Sequence, residues 1–384
     1  MNKWTFAGFS ALEIGFWCMH ASFISYAAAY LMSRGISGTA MSMMLSMYLL
    51  SAFIGSLFWG RICDRHRTNR KPFMLCMIVS AALMAGLYVL AGHQTAVAVI
   101  YPLLGFFFQP QAANADAWVL AAGKRDQSVF GKVRAMPSLA YAFVSAAVGY
   151  MIETFGYGSM LFGGAFFFVM AFVSAFLLKD ETSEADRIKQ KQETRSAMQL
   201  FASPAYRTLI MVLFLVGLAI APINNLKIIV FENVGGSVRH IGLDSFVGAL
   251  TQVPFIAMAA LTQRLAVRHR FRMMAFFPFA MILLTYLAVS PSMVIAGTCL
   301  YNIGYGILLP TMRDVTENHV KKELRNFGHN LSDAVFNSFS GIISLMYAGA
   351  VSDTFGTGAM LCVCLAVSAA PLAISFLYRE NKRI

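Results

Sequence analysis

Long apolar runs recur along this chain at intervals of about thirty residues, each interrupted by a short polar or basic stretch. The runs lie at 6–31, 40–61, 73–91, 95–121, 128–151, 158–178, 207–230, 241–263, 273–290, 293–318, 327–351 and 356–378. Crossing a hydrocarbon core of ~30 Å takes roughly 20 mostly apolar residues. Lipid offers no partner to an open backbone, so runs of this length are predicted to be helices. The pattern predicts an all-α membrane protein with twelve transmembrane helices in two six-helix bundles. The expected divisions are a first bundle over 1–178, a cytoplasmic linker over 179–206 and a second bundle over 207–384.

Composition supports this reading. Of 384 residues, 58% are apolar and 12% are charged, about half the charge of a soluble domain. Mean hydropathy is +0.64. The net charge of +12 would suit nucleic acid if it were clustered, but it follows the loops instead. Alternate loops on one side, with the linker and the ends, hold 25 of the 30 Lys and Arg residues, and the opposite loops hold Arg34 and Arg239. That asymmetry predicts both termini in the cytoplasm and a multi-pass protein of the cell's inner membrane. The partners expected are the bilayer, a small-molecule substrate and protons, with no nucleic acid. A monomer is the default. Cys18, Cys63, Cys76, Cys299, Cys362 and Cys364 show no metal-ligand spacing and read as small hydrophobes. No cofactor, P-loop or nucleophile–base motif is legible, which points away from an enzyme and from ATP as energy source.

The chain repeats itself. At a shift of 200 residues ETFGYGSML (153–161) meets DTFGTGAML (353–361), and YPLLGFFFQP (101–110) meets YNIGYGILLP (301–310). At a shift near 203, DRHR (64–67) meets VRHR (267–270), each assigned to the basic loop after the second helix of its half. Parallel repeats of this kind mark two-bundle transporters with a substrate site between the bundles.

Polar residues inside the apolar runs are the candidate chemistry. Arg134, Ser138, Tyr141 and Ser145 recur at i, i+4, i+7 and i+11 in the fifth run, the spacing of one helix face. Asp333, Asn337, Ser340 and Ser344 repeat those offsets in the eleventh. The fourth run adds Asp116, with Gln109 two turns away. A buried charge costs roughly 2.5–3.5 kcal/mol on insertion scales, so Asp116 and Arg134 are expected to pair and line a cavity. Arg134 could instead snorkel to the interface, and Asp116 could be structural. Other intramembrane charges are Glu13, Lys227 beside Asn224 and Asn225, and Arg313, Asp314 and Glu317. Lys227 is expected opposite Asp314 or Asp333, and Arg313 and Glu317 to satisfy each other at i, i+4. Glu13 has no basic residue closer than Lys3, which makes it, with Asp116, Asp333, Asp314 and Lys227, a candidate for proton coupling. Trp17, His20 and Tyr26 read first as packing.

GRICDRHRTNRK (60–71) resembles the loop signature of the major facilitator superfamily, matching it at Gly60, Asp64, Arg65, Arg70 and Lys71. It departs in having Arg67 at a glycine position and about two extra residues before Arg70. By that resemblance Gly60, Asp64 and Arg65 form a gating loop, with Asp64 capping a helix. Within the superfamily, Asp116 followed eighteen residues later by Arg134 in FGKVR, then Tyr141, is similar to the lactose permease and oligosaccharide–proton symporter branch. The resemblance implies that Asp116 and Arg134 bind the solute and that Tyr141 stacks on its ring, with Gln109, Ser138, Asn337 and Asn224 as further lining. The branch's His–Glu pair on the tenth helix is missing. The function expected is proton-coupled uptake of a small polar solute such as an oligosaccharide, glycoside or nucleoside, and the alternative is an exporter of drugs, lipids or metabolites. The absence of the drug-antiporter signature in the fifth helix favours uptake.

Overall fold

A computed structural model describes residues 3–123, 126–180, 197–258 and 262–378. Most of the expected linker, Lys124 and Arg125, and the basic tail from Arg379 lie outside the described residues. All regular structure within them is helical. We label the long helices α1 (residues 3–33), α2 (Gly38–His66), α3 (Arg70–Val89), α4 (Gln94–Ala122), α5 (Gln127–Phe155) and α6 (Gly158–Leu177). The second half holds α7 (Pro204–Asn225), α8 (Val238–Ala257), α9 (Val267–Tyr286), α10 (Pro291–His319), α11 (residues 325–355) and α12 (Thr357–Leu377). A short helix, Lys227–Glu232, follows α7.

Nine of these helices among the described residues are long and apolar enough to cross a membrane. The other three predicted segments are helical as well. Here α1 is interrupted by a π turn at His20–Ile24, α8 carries Arg239, His240 and Asp244, and α9 opens on Arg268, Arg270 and Arg272. The DRHR and VRHR segments differ from expectation: the first is the last turn of α2, whereas the second starts α9.

Helix ends follow local chemistry, and the repeat shows in them. Gly35 and Gly235 take φ of 93° and 73°, and Gly156 and Gly356 take 84° and 87°. Each pair is 200 residues apart, and left-handed backbone at a helix end is where glycine costs least. Ser37 and Ser203 cap α2 and α7 by accepting from the Ala40 and Tyr206 amides at 3.2 and 3.4 Å.

Two compact units emerge. One comprises Met1–Arg187 with Ser237–Phe246, and the other Ile188–Gly236 with Val247–Ile384. The segment Ser237–Phe246 joins the first unit because small residues let α8 approach α5. A Cβ at Gly242 would meet the Ser145 carbonyl, and one at Gly149 would lie 3.4 Å from the Arg239 carbonyl oxygen. Arg239 pairs with Glu153 at 3.6 Å, and the Ser237 hydroxyl donates to the same carboxylate at 2.7 Å.

Close packing also fixes α4, the helix of Asp116. A Cβ at Gly55 of α2 would run into the Phe106 carbonyl oxygen, and one at Gly105 into that of Tyr48. Contacts between small residues hold membrane helices together where burial from water cannot. Gly105→Val is therefore expected to force α2 and α4 apart and to lower the thermal unfolding midpoint of purified protein, with an overpacking cost of at least about 1–3 kcal/mol. A midpoint equal to that of the parent would show that this contact is slack.

Candidate functional site

In the first unit, α1, α4 and α5 bring three charges and an aromatic ring together. Arg134 Nε approaches Asp116 Oδ1 at 3.3 Å, each side chain about one-third exposed. The contact is ionic rather than a directed hydrogen bond, since that oxygen has no hydrogen-bond partner. The Arg134 guanidinium also lies over the Trp17 ring, 4.6 Å from its centroid, a geometry in which the ring quadrupole attracts the cation. The Trp17 indole donates to Glu13 Oε2 at 3.2 Å. Glu13 is fully buried, and its Oε1 has no hydrogen-bond partner among the described residues. Asp116 and Arg134 are its charged neighbours. Two carboxylates thus share one cation.

The three α1 positions occur at i, i+4 and i+7 because His20 completes the face of Glu13 and Trp17. The His20 ring lies 5.9 Å from Trp17 and 5.8 Å from both Phe108 and Tyr141. Its Nδ1 has no partner. The Tyr141 hydroxyl shares a hydrogen bond of 2.8 Å with Ser25. Farther along α5, Ser145 is buried and its carbonyl accepts from the Tyr26 hydroxyl at 2.5 Å. Of the expected α5 stripe, Arg134 and Tyr141 join the cluster. Ser138 is exposed, and so is Gln109, at the irregular turn between the two segments of α4.

In the second unit the charges pair otherwise than expected. Asp314 accepts from Arg270 at 2.7 Å and from Asn318 at 2.8 Å, and Arg270 is buried. The partner expected from Lys227 thus comes from α9. Lys227 opens the short helix after α7. Glu317 pairs not with Arg313 but with Arg325 at 2.9 Å and His329 at 3.0 Å. The charged neighbours of Asp333 are Arg313 and His329. Asn224 lies beside the Tyr301 hydroxyl.

The predicted α11 stripe is split. Asp333 and Asn337 are exposed, whereas Ser340 and Ser344 are buried. A π turn at Val335–Phe339 adds a residue between the two halves of the stripe, so positions at i+7 and i+11 rotate off the face of position i. Ser340 packs against Gly217 of α7 instead.

The residues assigned to the gating loop lie on α2 rather than beyond its end. Asp64 lies inside α2 and is exposed, as are Gly60 and Arg65. The cap of α3 is Asp180. Its carboxylate accepts from the Asn69 and Arg70 amides at 3.0 and 3.2 Å and from the Thr68 hydroxyl. Nothing in the spacing of Asp180, about 110 residues away, announced that role. Trp17 and His20 did carry a signal, the i, i+4, i+7 spacing from Glu13.

Comparison with known proteins agrees with this architecture. The model of the MFS_1-like family matches residues 14–363. The maltose permease of Geobacillus stearothermophilus is 24% identical over 331 residues, covering 85% of this chain and 82% of the permease. Among solved structures, the nucleoside transporter NupG superposes with a TM-score of 0.80 at 13% identity, over 98% of both chains. A D-xylose-proton symporter gives a TM-score of 0.67 at 12% identity, over 96% of this chain and 95% of the symporter. At these identities the solved structures share the fold.

Proposed function

Because the chain belongs to the MFS_1-like family of multi-pass membrane transporters, we propose that it takes up a small polar solute of the glycoside or oligosaccharide class together with protons, by alternating access. The observation that carries this reading is the buried Glu13 beside the Asp116–Arg134 pair. With both carboxylates ionised the trio carries one net negative charge, and one added proton makes it neutral. In a medium of low dielectric that difference is large. A solute hydroxyl that binds Asp116 or Arg134 and a proton that binds Glu13 or Asp116 act on the same charges. Each therefore biases the affinity for the other, which is the linkage that coupled transport needs.

Trp17 and Tyr141 supply ring faces for the apolar side of a sugar, and the charged groups meet its hydroxyls. The permease relative, named for maltose, supports the sugar class. Asp314 is held by Arg270 and Asn318 and takes a secondary place in proton coupling, as do Asp333 and Lys227. Asn337 and Asn224 are proposed as lining from the second half, Gln109 and Ser138 from the first. The basic-loop asymmetry supports both termini in the cytoplasm.

Arg134→Ala is expected to weaken binding of the recognised solute at least thirtyfold in calorimetry against maltose, other glycosides and nucleosides, as when one partner of a partly buried charged contact is removed. Unchanged affinity would reduce Arg134 to an anchor at the interface. Glu13→Gln is expected to lose proton-driven accumulation in proteoliposomes while keeping solute exchange. Normal accumulation by that variant would remove Glu13 from the mechanism.

A further inference from the structure

The end of α2 carries two unpaired charges above an apolar face. Arg61 and Arg65 lie one turn apart and are both exposed, and neither has an ion pair or hydrogen bond among the described residues. Three other arginines near helix ends are engaged. Arg70 donates to the Phe176 carbonyl, Arg270 pairs with Asp314, and Arg272 covers the Phe376 ring. Next to the free pair, Ile54, Leu57 and Phe58 are 50%, 52% and 47% exposed. With Ile62 and the two arginines they line a groove of about 410 Å³.

Residues 54, 58, 61 and 65 fall at i, i+4, i+7 and i+11, so the groove runs along one helix face. From Ile54 to Arg65 the helix rises roughly 16 Å, about half of a ~30 Å hydrocarbon core and thus one leaflet. The face spans about the depth of a leaflet, apolar from Ile54 through Phe58 and carrying two guanidinium groups over its last turn and a half. That is the outline of a phospholipid, with acyl chain along Ile54–Ile62 and phosphodiester at the arginines, whose forked donors match phosphate oxygens. A zwitterionic headgroup brings an ammonium toward the same guanidiniums, and an anionic headgroup does not. We propose that this face of α2 is a binding site for an anionic phospholipid. The inference rests on α2 crossing the bilayer and is independent of the substrate reading.

Native mass spectrometry of the full chain in mixed micelles of phosphatidylglycerol and phosphatidylcholine tests it. The parent protein is expected to retain phosphatidylglycerol in preference to phosphatidylcholine. In the R61Q/R65Q double variant that retention should fall roughly thirtyfold, two contributions of about fivefold each, with phosphatidylcholine unaffected. R61K/R65K, which keeps both charges, should retain most of the preference. Equal retention of the two lipids by the parent protein, or undiminished phosphatidylglycerol on R61Q/R65Q, would overturn the proposal. So would a protein dimer formed in place of the lipid adduct, since the face would then belong to a second copy.

Discussion

A guanidinium inside a largely apolar helix bundle must be held by the protein, and Arg134, about one-third exposed, is held on two sides: by the Asp116 carboxylate at 3.3 Å and by the Trp17 ring at 4.6 Å. The arrangement of the first unit serves that restraint. The α4 helix must present Asp116 at the depth of Arg134, and the glycine contacts of α2 with α4 fix where it lies. The α1 helix must bring Trp17 over the same group, which places Glu13 and His20 in the cluster through helical spacing alone. A carboxyl that would otherwise sit among apolar side chains thereby gains charged neighbours.

The second half carries the same turns but different chemistry. The paired glycines at 35 and 235, and at 156 and 356, keep one backbone plan in both halves. Onto that plan the second half sets a buried Arg270–Asp314 pair and a Glu317–Arg325–His329 cluster. In these the carboxylates are each met by a cation, although Arg270 Nε has no hydrogen-bond partner among the described residues. In the first-unit cluster the open atoms are an oxygen of Glu13, a carboxyl with no directly paired cation, and a nitrogen of His20, neither with a hydrogen-bond partner among the described residues. Open hydrogen-bonding capacity beside a charged pair is what a transported solute can use.

Much of this was legible in the sequence. Hydrophobic runs located the helices, because a membrane span needs length and apolarity and little else. Charge in an apolar run located Asp116, Arg134 and Glu13, and the short connection between α4 and α5 paired the first two. Trp17 read first as packing because aromatic residues are common in apolar helices, and only its i+4 spacing from Glu13 marked it out. The α11 stripe misled because periodicity assumes a uniform helix, and the π turn at Val335–Phe339 breaks that assumption. The partner of Asp314 was missed because Arg270 read as a loop residue when it opens α9. Asp180 could not be found, since a cap contributed across some 110 residues leaves no local trace.

Coupling requires that protonation and solute binding act on the same three charges, those of Glu13, Asp116 and Arg134. The most direct measurement is solute-induced proton movement across liposomes containing the purified protein, followed with a pH-sensitive dye while sugars, nucleosides and aromatic acids are added in turn. The account predicts alkalinisation of the outside on adding a glycoside or oligosaccharide, abolished in Glu13→Gln. Transport of such a solute with no accompanying pH change would contradict it.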